Sequence, residues 1–292
     1  MRGICACVEP TIKKKWKWSA VISSSSSRHL LCVDVGNTHT VLGLWARDDG
    51  WARPWRIRTN PRTTADEYAV FLTPLLETRG SSVPEAVAIC SVVPAVTQTL
   101  VEWATRILGV ETAVLGPGDA GVERIRYDDP WQLGMDRLAN ALAAYARTRA
   151  ATIVVDCGTA TKFEFVDSEG TYRGGAIAPG LGIAGDALFA RAARLYRVPL
   201  VAPARVIGRN TVHALQAGLL HGHAAMIDGM VARIQSETGV ASRVIATGGF
   251  ARLLAPLCRR VHEVVDFLTL DGIRLIFEQR QEKKNKSNEL SK

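Results

Sequence analysis

Apolar and polar positions alternate along the chain in two rhythms. In short runs apolar residues dominate outright: "LLCVDVG" (Leu30 to Gly36), "TVLGLWA" (Thr40 to Ala46) and "EAVAICSVVP" (Glu85 to Pro94). Runs of this length predict strands, the last closed by a proline that cannot continue a ladder. Elsewhere apolar residues return every three or four positions. "TADEYAVFLTPLLETRG" (Thr64 to Gly80) and "AVTQTLVEWATRILG" (Ala95 to Gly109) predict amphipathic helices, each ending at a glycine. "DRLANALAAYARTR" (Asp136 to Arg149) predicts a third, whose alanines permit close packing. Strand-like and helix-like blocks in alternation predict an α/β protein.

The first strand run breaks its own rhythm at Asp34, Gly36, Asn37, Thr38, His39 and Thr40, among them residue types that serve turns better than ladders. The interruption recurs. Writing "VDVGNTHTVLGL" above "VDCGTATKFEFV" aligns Val33 with Val155, Asp34 with Asp156 and Gly36 with Gly158, which predicts two related lobes. A carboxylate at a strand tip needs a cation or a donor, and glycine lets the following amides point into one small space. With Thr and Asn donors added, the turn reads as a phosphate cradle whose Asp can hold Mg²⁺ through water, a combination suited to phosphoryl transfer. One copy alone reads more simply as an Asx or type I′ hairpin turn; the second tips the reading toward phosphate.

Composition narrows this picture. The 292 residues are 47% hydrophobic and 22% charged, enough for two lobes of ordinary globular character. A net charge of +8 invites an anionic partner, yet eight lysines (Lys13, Lys14, Lys15, Lys17, Lys283, Lys284, Lys286, Lys292) sit at the two ends. The body is close to neutral, so a nucleic-acid partner is not expected. The cysteines at 5, 7, 32, 90, 157 and 258 show no CxxC spacing, which reads as a reduced cytoplasmic chain. No apolar stretch reaches membrane-spanning length, so no membrane association is expected either. Residues 1–28, with "SSSSS", read as a disordered or adventitious extension, and 279–292 as a disordered tail. The lobes then fall at 29–145 and 146–278.

Other nucleotide motifs fail or weaken on inspection. No GxxxxGK[ST] occurs, which excludes a P-loop. "GLGIAG" (Gly180 to Gly185) fits GxGxxG, but from Ala187 to Ile227 there is not one Asp or Glu to hold a ribose, so a loop near substrate or phosphate is the better reading. "TGGFARLL" (Thr247 to Leu254) follows a strand-like run and could admit a purine against its glycines, or be a plain strand-to-helix turn. His213, His221 and His223 lie in one helical segment that cannot aim all three at a metal. For the chemistry, "YDDPWQLGMDRLAN" (Tyr127 to Asn140) offers Asp136 at a helix start, either a general base or an N-cap, and Arg137, able to grip an anionic substrate with two hydrogen bonds or to lie on the surface.

Taken in series, "DVGNTHTVLG", "SVVP", "YDDPWQLGMDR", "DCGTATKFEFVD", "GGAIAPGL", "IGRNTVHALQAGLLHG", "TGGFA" and "LTLDGIRLI" resemble the type III pantothenate kinases, also described as Bvg accessory factor-like, from Leu30 to Phe277. The resemblance implies the acetate and sugar kinase, heat-shock chaperone and actin superfamily: two ribonuclease H-like lobes with a cleft between them. It implies a cytoplasmic homodimer that transfers the ATP γ-phosphoryl group to pantothenate, the first step of coenzyme A synthesis, using Mg²⁺ and a monovalent cation, K⁺ or NH₄⁺. It further implies that Asp34, Val35, Gly36, Asn37, Thr38, His39, Thr40 and Val41 cradle ATP, with Thr159 also touching it. Asp136 becomes the general base, and Tyr127, Gly134, Met135, Asp136, Arg137 and Thr211 hold pantothenate. Asp156 becomes the ligand of the monovalent cation.

Two departures stand out. Lys162 takes the place where the family commonly has a second threonine, and the N-terminal extension precedes a phosphate motif that normally starts the chain. A charge at 162 predicts weaker dependence on K⁺. Two other functions fit the same scaffold: a nucleotide-binding accessory protein without turnover, and a kinase for a sugar or acetate.

Overall fold

The computed structural model describes residues 29–52, 54–77, 84–191 and 196–290. The extension read over 1–28 and the helix end read at Gly80 lie outside the described residues. β1 (His29–Val35) and β2 (His39–Ala46) form a hairpin, and β3 (Gly50–Trp51) and β4 (Trp55–Arg58) both pair back onto β2. Then come α1 (Ala65–Glu77), β5 (Ala86–Ser91), α2 (Pro94–Glu102) and β6 (Glu111–Val114). After α2 the chain winds as a π-helix over Trp103–Leu108 until Gly109, at φ 69°, stops it. The first sheet runs β3-β2-β1-β5-β6, antiparallel at the hairpin and parallel from β1 to β6.

α3 (Pro117–Ala120) and α4 (Met135–Thr148) lead to the second sheet, built from β7 (Thr152–Cys157), β8 (Ala160–Val166) and β9 (Tyr172–Pro179). α5 (Leu181–Arg191), α6 (Thr211–Thr238), β10 (Arg243–Thr247), α7 (Ala251–Leu254), β11 (Glu263–Val264) and α8 (Leu268–Leu290) complete the chain. Its order is β9-β8-β7-β10-β11, the same hairpin and parallel crossover as the first sheet, so the short sequence repeat is the visible edge of a duplicated ribonuclease H-like lobe.

Both faces of each sheet are covered, which is why β1, β5 and β7 read as continuous apolar runs rather than alternating ones. On β1, Leu31 and Val33 pack against Tyr68, Leu72, Leu100 and Trp103, while Leu30 and Cys32 face Leu138, Leu142, Ile273 and Phe277 of α4 and α8. The second sheet buries Ile153, Val155 and Val244 under Leu219, Leu220 and Val231 of α6. Its other face meets Ala143 and Ala144 at the far end of α4. Thus α4 is shared by both sheets. It touches α8 backbone to backbone, since a Cβ on Gly272 would lie 2.0 Å from the Ala139 carbonyl oxygen.

The sequence reading assigned α8 to the second lobe and a loose tail, but the helix packs on the first sheet and continues to Leu290. Its polar half is tied there by Arg280 to Asp119 at 3.1 Å and Lys284 to Glu111 at 3.0 Å, partners more than a hundred residues away. No helix among the described residues is long and apolar enough to cross a membrane.

Candidate active site

Asp34 and Asp156 are each the last residue but one of their strands, β1 and β7. Cross-strand partners share a face of the sheet. Asp34 lies opposite Val41, which lies opposite Arg56; Asp156 lies between Thr247 and Lys162. Arg56 and Lys162 are therefore the cations on the two aspartate rungs. The turns beyond are closed by the Gly36 amide donating to the His39 carbonyl at 3.0 Å and the Gly158 amide to the Ala160 carbonyl at 3.1 Å. Their tips meet: the Thr38 and Thr159 hydroxyls are hydrogen-bonded at 3.0 Å.

Within the first turn the eight candidate residues divide sharply. Asn37, Thr38 and His39 are exposed and Asp34 is half-buried. Val35 is in one core cluster, Val41 packs against another, and the buried Thr40 hydroxyl is bonded to that of Thr59 at 3.0 Å. These three, like Gly36, have only backbone to offer a phosphate. Thr59, which no sequence signal marked, also donates to the Gly36 carbonyl at 2.7 Å and holds the loop in shape.

Gly134 caps α4, and Asp136 and Arg137 follow in its first turn with Met135 buried beside them. Asp136 reaches the second sheet directly. The Lys162 ammonium lies 2.5 Å from Asp136 Oδ2 and 2.8 Å from Asp156 Oδ2. One helical turn on, Asn140 points its Nδ2 at Asp156 Oδ2, 3.5 Å away, while its carbonyl accepts from Thr269 at 2.8 Å. "TGG" closes the other side: Gly248 sits at φ 92°, and a Cβ there would be 2.4 Å from Asp156 Oδ1. Gly180 backs onto the Thr159 and Gly158 carbonyls, but "GLGIAG" opens helix α5 instead of forming the expected loop, with Gly185 beside Phe189 and Leu219.

Three carboxylates thus gather around the Lys162 ammonium, with the Arg56 guanidinium also acting on Asp34. Burial, reinforced by Asp136 and Asp156, pushes Asp34 up to about 7. Burial opposes the Lys162 charge, but Asp156 and Asp136 outweigh it and raise the lysine above its ordinary range. Asp34 therefore keeps its proton in the native state at pH values where the unfolded chain has lost it. Its contribution to stability falls as pH rises from about 4 to about 7 and is level beyond. In thermal melts of chelator-treated protein, Asp34→Asn should gain on the parent across that window; a constant difference between the two would contradict the burial account.

Arg137 departs from the sequence reading. Its fork is turned inward, with Nε 2.7 Å and Nη2 3.0 Å from the buried Glu164 carboxylate, so two donors expected for an anionic substrate are already committed. Tyr172 donates to the same carboxylate at 2.5 Å, and Tyr127 stacks near the guanidinium, 5.8 Å from ring centroid to Cζ. Glu164 was missed; an acid between Phe163 and Phe165 in an otherwise apolar strand is the signal that could have found it.

Thr211 lies apart. It opens α6 after the Asn210 cap and lines an open cavity of about 590 Å³ with Leu188, Arg209 and Leu215, whose walls share no residue with the carboxylate group. The three histidines of α6 diverge: His223 meets Thr161 at 2.8 Å, His221 the Pro203 carbonyl at 2.9 Å, and His213 the side chain of Asn210. Exposed hydroxyls and amides on two opposed turns, backed by carboxylates, suit a polyphosphate carried with a divalent cation.

Comparison with known proteins agrees with that chemistry. A family model described as type III pantothenate kinase matches residues 30–233. The type III pantothenate kinase of Moorella thermoacetica is 45% identical over 85% of this chain and 98% of its own length, and that of Geobacter sulfurreducens 43% identical over 87% and 100%. In fold, the activator of the 2-hydroxyisocaproyl-CoA dehydratase from Clostridium difficile, solved with bound ADPNP, superposes with a TM-score of 0.50 at 12% identity, covering 88% of this chain and 97% of that one.

Proposed function

Because the chain belongs to the type III pantothenate kinase family, and is a kinase that uses ATP and a metal to phosphorylate pantothenate at the first step of coenzyme A synthesis, we propose how its residues divide that work. The observation that carries the reading is the Thr38 to Thr159 contact, which sets the two aspartate-tipped turns against each other across one cleft. The phosphates of ATP lie between the turns, held by Asn37, Thr38, His39 and Thr159 side chains and by backbone of Val35, Gly36, Thr40 and Val41. Arg56, on the Asp34 rung, adds positive charge to the same face.

Mg²⁺ fits this set. The carboxylates of Asp34, Asp136 and Asp156 outnumber the two cations beside them, Lys162 and Arg56, although among the described residues no three acidic, His or Cys groups are grouped to hold a metal by themselves. Asp34 would hold the ion, and the ion would neutralise phosphate charge. Asp136 takes the proton of the pantothenate hydroxyl as that oxygen attacks the γ-phosphorus and the bond to the leaving ADP oxygen breaks. Tyr127, Gly134, Met135 and Arg137 shape the acceptor's side. Arg137 acts there through the stacked Tyr127 and whatever donors Glu164 leaves.

A monovalent cation on Asp156 fits less well. The groups that meet its Oδ2 are N–H donors, Lys162 Nζ and Asn140 Nδ2, and these cannot coordinate a cation. A homodimer belongs to the same reading, supported by exposed Leu188, Val206 and Ile207 near Thr211, as does a cytoplasmic location, supported by the unpaired thiols of Cys32, Cys90, Cys157 and Cys258. ADP release measured with and without pantothenate tests the function. Release should require pantothenate and Mg²⁺; equal release with a sugar or acetate would reassign the acceptor, and no release with any acceptor would favour an accessory protein.

A further inference from the structure

We propose that Lys162 is a tethered monovalent cation: its ammonium occupies the position on Asp156 that a bound K⁺ or NH₄⁺ would take, so this enzyme positions Asp136 without a soluble monovalent ion. The inference rests on the phosphotransfer reading but concerns a different charge. Lys162 stands directly across the β7–β8 ladder from Asp156, so its side chain rises from the same face. From there it crosses to α4 and binds Asp136, joining two carboxylates from different elements, 2.5 and 2.8 Å away. All three side chains are largely shielded, with the lysine 17% exposed and the two aspartates 22% and 13%.

An ammonium in this position does what a small alkali ion would do there. It carries one unit charge, offsets the repulsion between two carboxylates and fixes the Oδ2 side of Asp136. It differs in being covalently attached, so its occupancy does not vary with salt. A second monovalent ion on the same carboxylate would sit beside a like charge with one oxygen face left, and that face is walled by Gly248 and Gly158. The neighbouring Thr161 cannot substitute, because its hydroxyl points into the second core and is bound by His223.

The test compares the parent with Lys162→Thr and Lys162→Gln in KCl, NH₄Cl and choline chloride at equal ionic strength. Two readouts are taken: melting temperature without substrates, and pantothenate-dependent ADP release. The parent should melt at one temperature in all three salts and turn over at similar rates. Lys162→Thr should melt higher in K⁺ or NH₄⁺ than in choline, and its turnover, lower by on the order of tenfold or more in choline, should be partly restored by those ions. Lys162→Gln, which fills the space without charge, should lose turnover and recover little. A parent that is stabilised or activated by K⁺ would overturn the proposal, and so would a Lys162→Thr protein indifferent to K⁺. Absence of ADP release in the parent would instead refute the kinase reading, leaving the melting comparison to decide this one.

Discussion

Asp136→Asn should lower kcat for ADP release by about 10²- to 10⁴-fold while leaving KM for pantothenate within a few-fold. The amide keeps the shape and can still accept from Lys162, so the change removes proton acceptance and one charge of the Lys162 ion pair while leaving the hydrogen bond. Asp34 is the serious rival for this role. Its carboxyl is pushed up to about 7, where acid–base catalysis works well, and it lies at the same cleft. The two roles leave different kinetic signatures. If Asp34 serves the metal, Asp34→Asn should chiefly raise the Mg²⁺-ATP concentration needed for half-maximal rate; if it serves the hydroxyl, kcat should collapse at saturating Mg²⁺-ATP. The assignment of Asp136 fails if its asparagine variant keeps the parental kcat.

Much of the fold was legible because duplicated lobes repeat their local signals. A strand, an Asp two residues before a Gly, and a second strand occur twice at matching places, and each copy became the hairpin of a sheet with the same strand order. The copies are not equal. Asp34 lies opposite a residue seven positions on and Asp156 opposite one six on, so the second turn is shorter, and register alone decides that Lys162 shares a face with Asp156. Sequence spacing does not carry register across a turn of unknown length. The reading of residues 279–292 missed for another reason. "QRQEKK" is as polar as a tail, and only Asp119 and Glu111, remote in sequence, make it one side of a packed helix. The same holds for Arg137. Seen in "GMDRLAN" it resembles a surface group, and its burial depends on an acid 27 residues on in the chain.

That acid carries the largest expected effect on stability. Glu164 is fully buried and receives Arg137 Nε, Arg137 Nη2 and the Tyr172 hydroxyl. Burial pushes its carboxyl up, Arg137 and Tyr172 pull it back, and the pair survives because three charge-assisted bonds answer the desolvation. Glu164→Ala should cost about 3–5 kcal/mol, since it leaves a guanidinium without a counter-charge among apolar neighbours. For a protein of this size that is a fall of roughly 10 °C in melting temperature, measurable by calorimetry. Removing both partners tests the cause. Arg137→Met with Glu164→Ala should recover part of the loss, because no orphan charge remains, whereas simple loss of packing would make the two costs add. The pair also bears on catalysis. Lys162 and Glu164 alternate onto one face of β8 and receive Asp136 and Arg137 from the first turn of α4, so two consecutive ion pairs bind the start of α4 to the second sheet. Arg137→Met with Glu164→Ala should therefore stay less active than its recovered stability predicts, with kcat reduced even well below its melting temperature. A double variant that regained full kcat along with its stability would reduce the Glu164 pair to scaffolding and leave Lys162 alone to set the place of Asp136.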